Sequence, residues 1–248
     1  MNTIYILWLR QIKRYLRSKA RIIGSLGQPL LFLVAMGFGF GPIYQKAGGG
    51  NYLTFLAPGV ISMGILFTAI FSGIEIIWDK QFGFLKETLV APVPRLRIMI
   101  GRTLGGATIA ILQGIIIFGI AFGVGFRPAH WGMFPIALVF MFLIALFFTA
   151  LGTAIASLLD DMQGFQLIMN FIVMPIFFFS GALFPLNDLP KPIKLIASMD
   201  PLSYGGDGIR AALSSSSHFT MGTDVTILGI ATLLLLILGG YLFSKIEI

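Results

Sequence analysis

Residues Trp78–Arg95 read WDKQFGFLKETLVAPVPR. The stretch is polar and short, it ends at Pro92 and Pro94, and long apolar runs flank it on both sides. Proline has no amide hydrogen and its ring clashes with the preceding turn, so a helix here stops before Pro92. Phe82, Leu85 and Leu89 form an apolar stripe at i, i+3 and i+7, with Lys80, Lys86 and Glu87 around it. That spacing puts the three on one face of a short helix. Two readings stand at this point: an ordinary basic loop, or an amphipathic helix whose apolar knobs enter a groove on a soluble partner.

The flanking composition decides the solvent. The 248 residues are 57% hydrophobic and 11% charged, against about 25% charged in soluble domains. So little charge cannot coat a water-soluble globule, and the chain reads as a polytopic membrane protein. Crossing the hydrocarbon core takes ~20 apolar residues. Six stretches qualify, near Ile22–Tyr44, Leu53–Trp78, Ile98–Phe126, Trp131–Leu159, Gly164–Phe184 and Val225–Phe243. They lack the alternation of a barrel strand, and in lipid a lone segment satisfies its backbone only as a helix. The expected fold is all-α: one transmembrane domain of six spans over residues 1–248.

An even number of spans puts both termini on one side. Twelve of the 17 Lys and Arg then fall with the termini, including Arg10, Arg14, Arg17, Lys86, Arg95 and Arg102. The positive-inside bias makes that side cytoplasmic. It also accounts for the net charge of +7 without a nucleic-acid partner. Residues 1–21 lead into the first span with no short cleavable core. Wound at 100° per residue, Arg10, Arg14, Arg17 and Arg21 share one face, and Ile4, Tyr5, Trp8, Ile12, Tyr15 and Leu16 lie roughly opposite. This predicts a helix in the headgroup plane with its arginines toward anionic lipid.

Residues 185–218 are too apolar for a free loop and too broken by Pro185, Pro190, Pro192 and Pro201 for a span. Short helices over Ile193–Met199 and Ser203–Leu213 are expected to dip back into the outer leaflet, a backbone path tolerated only where protein or a water-filled cavity covers it.

Catalytic signatures are missing. No G-x-x-x-x-G-K-[ST], H-E-x-x-H or G-x-S-x-G occurs, so nothing points to a nucleotide, zinc or nucleophile site in this chain. Cysteine is absent, and His130 and His218 fall in separate outside loops. Glu75 and Arg102 are the ionisable residues nearest the membrane interior, expected to face headgroups or to pair with each other across spans two and three. Asp160 and Asp161 read as a solvated turn.

FGFLKETLVAPVPRLRIMIGR resembles the loop after span two in the permease subunits of ABC-2 type transporters. PIFFFSGALFPLNDLP, followed by MDPLSYGGDGIRAAL, resembles that family's segment after span five, and order, span count and length agree. The resemblance implies two permease copies, a homodimer, working with two ATP-binding cassette subunits that hold ATP and Mg. No cofactor is implied in this chain. The loop over residues 79–97 would carry the coupling helix, contacting the ATPase through Phe82, Leu85, Lys86, Glu87 and Leu89. The outer gate would include Phe184, Pro185, Pro201 and Tyr204, and Phe67, Phe71, Phe171 and Phe178 are candidates to line a path. The expected setting is the cell membrane of a prokaryote, and the expected cargo a lipophilic drug, a lipid or a lipid-linked glycan. A secondary transporter would need inverted repeats or buried ion ligands, a channel a polar ring, and neither is evident.

Overall fold

The computed structural model describes residues 3–46, 50–90, 92–186 and 190–245; the side chains of Lys86 and Leu89 lie outside that description. No strand occurs among the described residues. Helix α1 (Thr3–Arg17) precedes a first rod made of α2 (Lys19–Leu31), a π turn (Phe32–Met36) and α3 (Gly37–Lys46). The second rod is α4 (Tyr52–Phe71) plus α5 (Ile74–Gln81), and α6 (Phe84–Val90) follows. Then come α7 (Arg95–Val124), α8 (Phe134–Leu158), α9 (Met162–Phe179), α10 (Lys191–Met199), α11 (Pro201–Ser214) and α12 (Met221–Ser244). Six of these rods are long and apolar enough to cross a membrane.

The fifth rod ends at Phe179, not at the expected Phe184. The Ser180 hydroxyl donates to the Phe177 carbonyl, and Gly181 takes a φ of +71°. A left-handed residue turns the chain out of the helix, and glycine does so without a Cβ clash.

Helix α4 is the axis of the core. Leu56 through Leu66 are all buried, and α7, α8 and α11 pack around them. The lower half of this rod is joined by a break at Ser72–Gly73, where the α8 backbone comes close at Gly152. A Cβ on Gly152 would run into the Ile70 carbonyl, and one on Gly73 into the carbonyl of Gly152. Two hydrogens where side chains would stand let the rods touch backbone to backbone, as small residues do between membrane helices.

Helix α1 lies along α7. Its buried face is Leu7, Gln11 and Tyr15, while Tyr5 and Leu16 point outward. The apolar side read from the helical wheel overlaps the packed side only in part: Tyr15 is buried and Trp8 donates to Thr108 of α7, whereas Tyr5 and Leu16 face away. Polarity alone cannot tell lipid from a neighbouring helix, and Gln11 is buried because Gly105 of α7 leaves room beneath it.

At the other end of the bundle α11 is buried along nearly its whole length against α4, α8 and α12. Asp200 caps it, accepting from the Leu202 amide at 2.9 Å, with Pro201 as its first residue. Aspartate before a first-turn proline is a favoured helix start. Helix α10 leaves Leu195, Ile196 and Met199 exposed.

Replacing Gly152 with Val should cost roughly 1–3 kcal/mol, as overpacked cores do. A lower denaturation midpoint of the detergent-solubilised protein is the expected result; an unchanged midpoint would show that α4 and α8 do not approach this closely.

Candidate functional site

Glu75 and Asp79 sit one helical turn apart on α5, so their side chains share a face. Opposite them, Arg10 and Arg14 are also one turn apart, on α1. Both Arg10 terminal nitrogens donate to Asp79, each at 3.1 Å, in a two-pronged contact. Arg102 of α7 donates to the same carboxylate at 2.5 Å. Arg21 of α2 donates to Glu75 at 2.5 Å. Arg14 stands 3.8 Å from both carboxylates. Its guanidinium lies over the Trp78 ring, and that of Arg10 lies 3.9 Å from the centre of Phe84 on α6.

Five helices thus meet through one charged cluster. Glu75 and Asp79 are 2% and 4% exposed, and Arg102 3%. Desolvating such ions is expensive, and only good geometry offsets it. The pairing here is bidentate at one carboxylate and shared at the other, the geometry in which arginine is strongest. Four guanidinium groups face two carboxylates, so the cluster carries two positive charges in excess. Nε and Nη1 of Arg102 are buried without a hydrogen-bond partner.

Beside the cluster, between α2 and the second rod, opens a cavity of about 390 Å³. From Leu56 to Asp79 the second rod is buried except at Phe67, Thr68, Phe71, Ser72, Ile74 and Trp78. Every one of those six lines the cavity. Phe67 and Phe71 stack with their rings 14° from parallel. Across from them stand Ser25 and Gln28 of α2, and the Arg21–Glu75 pair closes one end. Tyr15 lines the same end and donates to Gln113 at 2.7 Å; burial raises its phenol above the ordinary value.

The residues singled out in the sequence are placed as follows. Phe82 is 80% exposed, and Glu87 is exposed beside it. Leu85 is 1% exposed and belongs to the core, so it anchors α6 to the bundle and is not a knob facing outward. A three-residue stripe has a face but no label saying which neighbour it meets. Val90, at the end of α6, is exposed instead; the Lys86 and Leu89 side chains lie outside the described residues. Arg10 and Arg14 turn in to the carboxylates, not out to headgroups, because two buried anions are close at hand; Arg17 is exposed. Glu75 does not pair with Arg102, whose partner is Asp79. Phe67 and Phe71 line the cavity, while Phe171 and Phe178 are exposed on α9, outside it.

In the far segment Phe184, Pro185 and Pro201 are half-buried. Tyr204 is buried, donates to the Ser198 carbonyl at 2.6 Å and stacks on Phe219. Asp207 accepts from the amides of His218 and Phe219 and lies 3.8 Å from Arg210. Burial lowers Arg210 to about 10 against the pull of Asp207, so it stays charged. Arg210 ties α11 back to the chain after α9 by donating to the Gly181 carbonyl at 3.0 Å.

The sequence placed Arg21 only on the arginine face of the N-terminal helix and Asp79 only at the start of the loop, and gave neither a partner. The signal was present: acids one turn apart on one helix and arginines one turn apart on another are complementary rows. Asp160 and Asp161 do form an exposed turn, with a structural task as well. Lys80 donates to the Ser157 and Leu159 carbonyls at the end of α8 and to Asp160, and Asp161 caps α9 through the Gly164 amide. A lysine at a helix C-terminus satisfies carbonyls that have no partner in the helix.

Asp79→Ala should destabilise the protein by about 3–5 kcal/mol, since it leaves buried cations unpaired. Adding Arg102→Met should recover part of that loss. A double-mutant cycle by chemical denaturation checks it; additive losses would show that the two residues are not coupled.

Comparison with known proteins gives this arrangement a family. The chain matches the ABC-2 type transporter family over residues 2–214. It is 28% identical to a putative transport permease ycf38 of Cyanophora paradoxa, covering 99% of this chain and 89% of the relative. It is 30% identical to Nodulation protein J of Rhizobium leguminosarum bv. trifolii, covering 83% of this chain and 76% of that one. The same identity holds for Nodulation protein J of the biovar viciae, over 83% and 82%. Six membrane-length helices, a charged knot at one end and a family match over most of the length lead to one conclusion: the chain is a membrane permease of the ABC-2 type transporter family.

Proposed function

We propose that this chain is the membrane half of an exporter, with two copies forming the translocation path and two ATP-binding cassette subunits supplying the energy. ATP and Mg are held by those subunits. The cargo is a lipophilic drug, a lipid or a lipid-linked glycan, moved outward across a prokaryotic cell membrane, and both termini are cytoplasmic.

The observation that carries this reading is the mounting of α6. This short helix follows the second rod, exposes Glu87 and Val90, has the exposed Phe82 in the turn just before it, and is held from behind by Leu85 and by Arg10 over Phe84. An exposed face on a firmly seated helix suits a groove on a soluble partner. A push on α6 passes through Arg10 to Asp79 and from there to Arg102 of α7, and through Arg14 and Glu75 to Arg21 of α2. A partner shifts such a device only by binding its two arrangements unequally, and an ATP-driven closure of the ATPase pair supplies that difference.

Support for a second copy comes from burial. Within a single chain spans one, five and six bury 11%, 22% and 17% of their most apolar stretch, against 72% for span two. In the proposed dimer the outward Phe171 and Phe178 of α9 face the path or the other copy, and the segment with Phe184, Pro185, Pro201 and Tyr204 forms the outer gate. A secondary transporter or a channel working without an ATPase is the competing reading.

Phe82→Asp and Val90→Asp should insert and fold normally yet lose most co-purifying ATPase subunit and ATP-driven export. Full transport by both variants would sink the proposed contact, and transport by the permease alone would favour the competing reading.

A further inference from the structure

The cavity beside the charged cluster has features that select a cargo chemistry, given the reading that this permease exports a lipid-like molecule. Its long wall is apolar and aromatic, with Phe67, Phe71 and Trp78 presented from the second rod. Its closed end is ionic, formed by Arg21 and Glu75. A site with one greasy wall and one charged end fits an amphiphile, and its volume lies within the usual range for small-molecule pockets, about 300–1,000 Å³.

The sign of the charge follows from which ion is reachable. The Glu75 side chain is 2% exposed and already faces Arg21 and Arg14. The Arg21 side chain is 34% exposed. A cationic headgroup would have to displace two arginines to reach the carboxylate. An anionic headgroup meets the accessible guanidinium directly. The field behind it favours the same choice, because the cluster of Arg10, Arg14, Arg21 and Arg102 with Glu75 and Asp79 holds two excess positive charges. Low-dielectric walls concentrate such a field in a cleft. Glu75 competes with the cargo for Arg21, and its Oε2 has no hydrogen-bond partner of its own.

We propose that this cavity binds an amphiphile with an anionic, phosphate-type headgroup, with Arg21 meeting the charge and the Phe67–Phe71 wall meeting the adjoining chain. Arg21 is then the residue that sets headgroup preference, and Glu75 is a built-in competitor that keeps the site from holding its ligand too tightly.

The test is equilibrium binding of radiolabelled hexadecyl phosphate to the full-length permease in phosphatidylcholine nanodiscs, with empty nanodiscs subtracted. Hexadecyl maltoside, hexadecyltrimethylammonium and inorganic phosphate serve as competitors. Hexadecyl phosphate should bind about tenfold more tightly than the maltoside, as expected when one hydrogen bond to a charged group is gained. Inorganic phosphate should compete poorly, because it lacks the chain that the aromatic wall receives. Arg21→Gln should erase the preference for phosphate over maltoside, and Glu75→Gln should strengthen it several-fold. Equal binding of phosphate and maltoside by the unaltered protein would overturn the proposal. So would tighter binding of the ammonium compound, full competition by inorganic phosphate, or the two substitutions shifting the preference in the same direction. The comparison on the unaltered protein stands even where a variant folds poorly. No ATPase is present in this measurement, so a permease that fails to couple to one would undo the proposed function and leave this result intact.

Discussion

The architecture at one end of this protein depends on how two carboxylates are kept out of water. Glu75 and Asp79 project from the lower half of the second rod and are almost fully buried. Each needs cations at contact distance, and the cations come from α1, α2 and α7. Apolar packing in a bilayer is weakly directional, since lipid tails are as greasy as leucine. Charge pairing is directional. It fixes which helix lies beside which, and at what height, where hydrophobic contact alone would permit sliding.

That constraint explains the position of α1. A helix with three arginines on one side suggests a membrane surface, yet two of the three are spent on the interior. The helix is strapped to α7 by Leu7, Gln11 and Tyr15 and pinned by Arg10 to the rod that ends in α6. Its role is closer to that of a brace than a float. Breaking the second rod at Ser72–Gly73 separates a lower piece, carrying the acids and α6, from an upper piece sunk in the core.

Much of this was legible in the sequence, and the limits have physical causes. Span number came through because length and apolarity are local properties of Ile98–Phe126 or Trp131–Leu159, and burial does not alter them. The short helices around Pro201 came through because proline and Asp200 mark their own boundaries. What could not be read was facing. Leu85 and Phe82 are both apolar in the same short loop, yet one is in the core and the other in the open. The difference lies in neighbours supplied from elsewhere in the chain. The end of span five was misjudged for a similar reason: Ser180–Gly181 turns a run of apolar residues that continues past it. Asp79 was read as the first residue of a loop, although its helix runs on to Gln81 and carries it inside.

The second rod presents different faces to different tasks. Ala69, Ile70 and Ile77 look into the packed interior, Glu75 and Asp79 meet the arginines, and Phe67, Phe71 and Trp78 border open space. This separation bears on evolutionary history. Substitutions at Phe67 and Phe71 touch none of the arginines or carboxylates of the ionic knot, so descendants of a common ancestor are free to acquire new tastes while inheriting the same machinery. Divergence among members of such a lineage should gather along that one edge of a single helix and leave the remainder of the rod nearly still.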